Sequence, residues 1–270
     1  MLFSKHPDPR PSMRLFRPRP WMLSRGRLLL AMTALTALLN GCAGKPELPS
    51  APGVSITTGD IFAEPDFPRL IRSVEHTHGP VAGARIRHWA MLVERGKTLD
   101  THEQLLETNR FFNGARFSTD REIWQVDDYW ATPAEFLIKD AGDCEEFAIA
   151  KYFTLRFMGL EDEKMRLTYV KALTLDQPHM VLSYYPAPDE VPLVLDNLNP
   201  RLLPANARND LVPVYSFNGD TLWLARSRNE QVLSGKAEQI KLWRNIQTRL
   251  ETQCPQARLR HRLGPARRTR

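Results

Sequence analysis

The hydrophobic period of the chain falls from helical to strand spacing near residue 160, and that change limits the folds open to it. Before that point apolar side chains recur at helical spacing from Pro80 to about Gly96 and from His102 to about Phe112, with Gly96-Lys97-Thr98-Leu99-Asp100 as the break. Thr132-Pro133-Ala134-Glu135 opens a short helix, because proline suits the first helical position. A further, evenly apolar helix runs from Cys144 to Met158 and closes at Gly159. Beyond it the period falls to two. Met165–Leu173, His179–Tyr185 and Val191–Leu198 read as strands, Val212–Phe217 as a fourth and Leu222-Trp223-Leu224 as a short fifth. Glu230 to Leu250 reads as a last amphipathic helix. Helices followed by a block of antiparallel strands describe an α+β domain, expected over residues 65–252.

The ends of the chain read differently. Arg25 and Arg27 precede an apolar run from Leu28 to Leu39, long enough for the core of a signal peptide and too short to span a bilayer. Residues 1–42 are therefore expected to be a targeting segment for export to the periplasm. Leu39-Asn40-Gly41-Cys42 resembles a lipobox, which would anchor the chain through an acylated Cys42. Gly41 and Ala43 equally suit ordinary cleavage, so anchored and free forms both stay open. Residues 43–64 read as a Pro-rich linker and 253–270 as a basic, solvated tail. The net charge of +6 belongs to these ends: residues 1–27 and 258–270 each carry +6, which leaves −6 between them. A body of that sign argues against a nucleic-acid groove.

Three cysteines make no disulfide framework, and an unpaired thiol in an oxidising compartment needs a reason. Cys144 falls in the first turn of its helix, where aligned peptide dipoles favour a thiolate. If the strands around Pro186–Glu190 form a hairpin, opposite residues have numbers summing to 375 or 376. His179 then faces Asp196 or Asn197. Thiol, imidazole and carboxylate at three element ends make a possible nucleophile, base and orienting acid. Taken singly, each has a structural reading as well: a buried filler, a satisfied strand histidine, the start of a turn.

Asp127-Asp128-Tyr129-Trp130-Ala131-Thr132-Pro133, Ala141-Gly142-Asp143-Cys144-Glu145-Glu146-Phe147-Ala148, Leu167-Thr168-Tyr169-Val170, His179-Met180-Val181-Leu182 and Leu193-Val194-Leu195-Asp196-Asn197-Leu198 together resemble the bacterial transglutaminase-like cysteine proteinases of the LapG type. The resemblance covers roughly residues 60–225. It implies a papain/transglutaminase-like fold, with Cys144 as nucleophile, His179 as general base and Asp196 as orienting acid. It also implies a calcium-dependent periplasmic endopeptidase that cleaves the N-terminal region of a large surface adhesin and so disperses a biofilm. The implied inhibitory partner is an inner-membrane receptor for cyclic di-GMP.

Calcium has a second motive in the residues. Asp143 and Glu145 flank the thiol, and their charges oppose its ionisation unless a hard cation offsets them. Asp127 and Asp128 are further candidate ligands. The competing reading is a capping box, Asp143 with Glu146 three residues on. Papain-like enzymes often place a Gln six residues before the nucleophile, and Ile138 stands there. His76-Thr77-His78 reads as a loop, and Trp124, Trp130 and Trp223 as core or cleft aromatics. The same constellation could transfer the acyl group to an amine, as transglutaminases do, and a non-catalytic calcium-binding envelope lipoprotein is the alternative from another class. No Gly-x-Ser-x-Gly elbow, phosphate loop or zinc spacing occurs.

Overall fold

The computed structural model describes residues 63–227 and 230–253. The expected targeting segment, Cys42, nearly all of the expected linker, Cys254 and the expected basic tail lie outside the described residues.

Helix α1 spans Phe67–Gly96, so it starts thirteen residues before the helical spacing predicts. Asp66 caps it by accepting the Arg69 N–H at 3.0 Å. It is interrupted at Gly79, whose φ of 85° places it outside helical space, and at Pro80, which has no N–H to give. His76 and His78 therefore sit on an exposed helical turn rather than in a loop. Helix α2 (Thr101–Phe112) is capped by Asp100. A two-residue strand β1 (Arg116–Phe117) and a short helix α3 (Asp120–Ile123) follow. Helix α4 (Pro133–Lys139) starts with a full capping box between Thr132 and Glu135. Strand β2 (Ala141–Gly142) pairs in parallel with β1 and leads directly into α5 (Cys144–Phe157).

Helix α5 is the centre of the molecule. Ile149, Ala150, Tyr152, Phe153 and Leu155 are wholly buried, because α1, α2 and α4 pack on one side of the helix and the sheet on the other. Each large apolar side chain so enclosed contributes about 1.5–3 kcal/mol. The indole N–H of Trp89 on α1 donates to Thr154 Oγ1 at 2.8 Å, which leaves that polar pair satisfied inside the core.

The sheet is antiparallel, in the order β6-β5-β4-β3-β7-β8-β9. Its strands are β3 (Met165–Ala172), β4 (Gln177–Tyr184), β5 (Leu193–Leu195), β6 (Leu203–Pro204), β7 (Leu211–Phe217), β8 (Thr221–Ser227) and β9 (Glu230–Lys236). Met165, Leu167, Met180, Leu182 and Leu195 join the helices in the main core. Val170, Val181, Val194 and Leu211 form a smaller cluster apart from it. The mixed helix and antiparallel-sheet architecture is the α+β class.

Three details depart from the sequence reading. Residues 230–236 form β9, not the start of the last helix; α6 occupies only Lys241–Gln253. Val232 and Leu233 fit helical spacing equally well, but pairing with Leu224 and Trp223 of β8 decides the matter. The turn after β3 falls at residues 173–176, with Asp176 at φ 49°, so Gln177 and Pro178 already belong to β4. Finally, β5 is three residues long where eight read as a strand, because Pro192 and Asp196 lie outside the ladder.

Candidate active site

Cys144 opens α5, and the fold holds that helix end on several sides. Phe117 and Gly142 face each other in the β1–β2 pair, and the Ser118 N–H donates to the Gly142 carbonyl at 2.9 Å. A Cβ at Gly142 would lie 2.6 Å from Glu146 Cβ and 2.9 Å from Phe136 Cδ2, so only glycine lets the strand pass this close to the helix. The capping box reading is met: Glu145 N–H donates to Asp143 Oδ1 at 3.4 Å, and Asp143 N–H to Glu146 Oε2 at 3.0 Å. Trp130 is a core residue stacked on Phe217, in keeping with the core reading of this aromatic. Trp223 stacks with the Arg166 guanidinium, and Trp124 lies against Tyr129. Ile138 packs on the main core from α4.

The thiol donates to Glu145 Oε2 at 2.8 Å. Burial, then the charge and hydrogen bond of Glu145, then the charge of Asp143 push the Cys144 thiol far above its ordinary range. A backbone hydrogen bond from Met180 works the other way, and it puts the sulfur against the opening of β4, where His179 is the preceding residue. Stacked Tyr169 and Tyr215, 5.0 Å between ring centres, feel the charges of the same helix end.

His179 and Asp196 meet, in a different register from the one foreseen. Leu182 pairs with Leu195 and Ser183 with Val194, so partner numbers sum to 377. Asp196 therefore continues toward Val181 and reaches His179 diagonally, one pleat along on the same face. His179 Nε2 lies 2.7 Å from Asp196 Oδ1, and both residues are buried. Burial alone would push the Asp196 carboxyl up. Hydrogen bonding and charge from His179, the Leu198 N–H and Arg208 hold it down at about 2. An ionised carboxylate only accepts, so Nε2 carries the hydrogen of this contact and Nδ1 is the ring nitrogen left free of Asp196.

Around the helix start lies an acidic cluster. Asp143 and Glu145 are in it, as the sequence suggests, and so are Asp120 and Glu146. Ligand oxygens of Asp120, Asp143 and Glu146 lie within 4.8 Å of one another, as do those of Asp143 and Glu145 with the sulfur. Burial and the Asp143 charge push Glu145 up to about 8 and Glu146 well above its ordinary range. Asp120 is pushed up to about 6, by burial and the charges of Asp143 and Asp128 against the Tyr129 N–H it accepts. Asp128 is exposed, yet close enough to be raised by burial and by Asp143. Asp127 is not brought to the cluster; its carboxylate pairs with Arg121 in solvent.

These residues suit calcium. The donors are hard oxygens, and one of them, Asp120 Oδ1, is buried without a hydrogen-bond partner in the described structure. The cap shares these carboxylates: Asp143 gives it Oδ1, and Glu146 accepts the Asp143 N–H through Oε2 and the Ala131 N–H through Oε1. Sequence reading missed Asp120 altogether: 23 residues before Asp143, at the start of a four-residue helix, it carries no local signal. Arg208, which donates to Asp196 Oδ2 at 2.7 Å, was missed for the same reason.

A thiol at the head of a central helix, set against an antiparallel sheet, defines a cysteine proteinase of the papain and transglutaminase-like class. The family model described as bacterial transglutaminase-like cysteine proteinase matches residues 90–225. The solved structure of Legionella pneumophila LapG treated with EGTA is 39% identical, with a TM-score of 0.62, over 70% of this chain and 100% of that one. A second structure of Legionella pneumophila LapG is 38% identical at TM-score 0.61 over the same shares. The calcium-bound form is 42% identical at TM-score 0.59, over 68% of this chain and 98% of that one. A comparison with curated proteins returns no match. The chain belongs to the bacterial transglutaminase-like cysteine proteinases and is of the LapG type.

Proposed function

We propose that this cysteine protease is a calcium-dependent endopeptidase working through Cys144, His179 and Asp196. The observation that carries the reading is the buried 2.7 Å contact of His179 Nε2 with Asp196, next to the segment that hydrogen-bonds the Cys144 sulfur. Asp196 holds the imidazole in the tautomer whose Nδ1 accepts the thiol proton. The sulfur attacks the scissile carbonyl, and the oxyanion is met by the Cys144 N–H at the helix start. His179 then gives its proton to the leaving amine, and water admitted afterwards hydrolyses the thioester.

Asp143, Glu145, Asp120 and Glu146, with Asp128 beside them, are the residues that would hold calcium. Bound there, calcium would supply positive charge that offsets the carboxylates opposing ionisation of the thiol. Calcium-bound and EGTA-treated forms of Legionella LapG support a calcium site in this chain as well.

The substrate is the N-terminal region of a large surface adhesin, whose cleavage releases the adhesin and disperses a biofilm. The protein acts in the periplasm, free or anchored through Cys42, under an inhibitory inner-membrane receptor for cyclic di-GMP. These assignments follow the family likeness and the apolar run at residues 28–39; in addition, no described helix is long and apolar enough to cross a membrane. Incubation with exported adhesins of the same genome, with and without calcium, tests the proposal. One discrete calcium-dependent cut is expected, and its absence with every adhesin refutes the substrate assignment.

A further inference from the structure

The acid of the proposed triad is gripped from both sides. Asp196 Oδ1 accepts from His179 Nε2 at 2.7 Å and from the Leu198 N–H at 3.0 Å. Its other oxygen, Oδ2, accepts from Arg208 Nη2 at 2.7 Å. The side chains of Asp196 and Arg208 are 0% and 2% exposed. A buried carboxylate without a permanent counter-charge is costly, and the Arg208 guanidinium supplies that charge on the side away from the imidazole.

Arg208 is itself fixed. Its Nε donates to Asp210 Oδ1 at 3.0 Å and its Nη2 to Asp210 Oδ2 at 2.7 Å, a forked contact that sets the plane of the guanidinium. Its backbone closes the 3-10 turn Ala205–Ala207, with Arg208 N–H on the Ala205 carbonyl at 3.1 Å. The Leu211 N–H, at the start of β7, donates to the Arg208 carbonyl at 3.1 Å. The planar group is thus held against one oxygen of Asp196 while the other oxygen meets the imidazole.

We propose that Arg208, tethered by Asp210, is a positioning residue of the proteolytic reaction: it locks the rotation of Asp196, keeps that carboxylate an acceptor, and so holds His179 in the working tautomer. This rests on the triad reading above. Lysine would keep the charge but lose the fork that ties Asp196 and Asp210 together.

The test reads the alkylation rate of Cys144 by iodoacetamide, mapped by mass to its peptide, in the purified protein with calcium. The proton on His179 Nε2, seen downfield by NMR, is the second readout. Arg208→Met slows alkylation by about tenfold or more, the ordinary effect of losing a hydrogen bond to a charged group. The downfield signal is lost with it. Arg208→Lys recovers part of the rate, and Asp210→Asn slows it by a smaller factor. A folded Arg208→Met protein that alkylates within twofold of the parent and keeps its signal overturns the proposal. If that variant does not fold, Arg208→Lys and Asp210→Asn decide, and parental behaviour in both overturns it. His179→Ala separates the two ideas: if it alkylates at the parental rate the triad reading itself falls, whereas a slow His179→Ala beside a fast Arg208→Met removes only the role of Arg208.

Discussion

Lys151 lies two turns along α5 from Cys144, wholly buried, and its Nζ has no hydrogen-bond partner in the described structure. The ring of Phe147 is 5.9 Å away, and the compensating charge is that of Asp196. Burial, only partly offset by Asp196, pushes the ammonium down from 10.5 to about 7. A base with a depressed folded value binds fewer protons in the native state than in the unfolded chain between those limits. Native stability therefore rises with pH from about 7 to 10.5, and below 7 the full penalty applies. At 1.36 kcal/mol per unit that penalty is about 5 kcal/mol. Replacing Lys151 by Met, which has a similar length and no charge, removes it. Lys151→Met is expected to stabilise the protein by about 3–5 kcal/mol at pH 6.5, since relaxation around the buried ammonium trims the full figure. The gain should shrink toward zero near pH 10.5. Urea unfolding of both proteins across this range, followed by circular dichroism, measures it. A gain independent of pH, or a loss of stability at pH 6.5, would refute the reasoning.

Cys144→Ala and His179→Ala should abolish cleavage with unchanged melting temperatures, and Asp196→Asn should lower kcat by about 10⁴ if the acid sets the tautomer; full activity in Cys144→Ala would remove the assignment. Chelating calcium should stop proteolysis and lower the melting temperature, with a pH signature. The folded values of Asp120, about 6, and Glu145, about 8, lie above the unfolded ones of 3.8 and 4.5, so calcium-free stability is fully present below about pH 4 and is lost as pH rises through 6 and 8. Calcium should accordingly raise the melting temperature more at pH 8 than at pH 5, and equal shifts in calorimetry would count against the cluster as a site. Gly142→Ala should cost about 1–3 kcal/mol by overpacking against Glu146 and Phe136, and chemical denaturation at neutral loss would show that the strand can yield.

Much of the site was legible because its chemistry is local. Cys144 stands at a helix start marked by Asp143, and the box with Glu146 follows the spacing of a cap. His179 lies in β4 and Asp196 directly follows the neighbouring strand β5, so an approximate hairpin brings them together even with the partner sum off by one or two. Residues 230–236 were misread because short apolar patterns fit both periods, and only the partner strand β8 distinguishes them. Asp127 and Asp128 show the limit from the other side: adjacent in sequence, they point to different surroundings, one to Arg121 in solvent and one toward Asp143.

By itself the sequence determined the α+β class and the helix that Cys144 opens, since period, caps and turns depend on neighbours a few positions away; it left Asp196 and Asn197 both open opposite His179, and the family resemblance picked out Asp196. Only the tertiary structure decided what surrounds them. Asp120 beside Asp143, Lys151 under Asp196 and Arg208 on its far oxygen are meetings of distant segments in a low-dielectric interior. Charges enclosed there must be matched through space, and spacing along the chain does not encode which partner arrives.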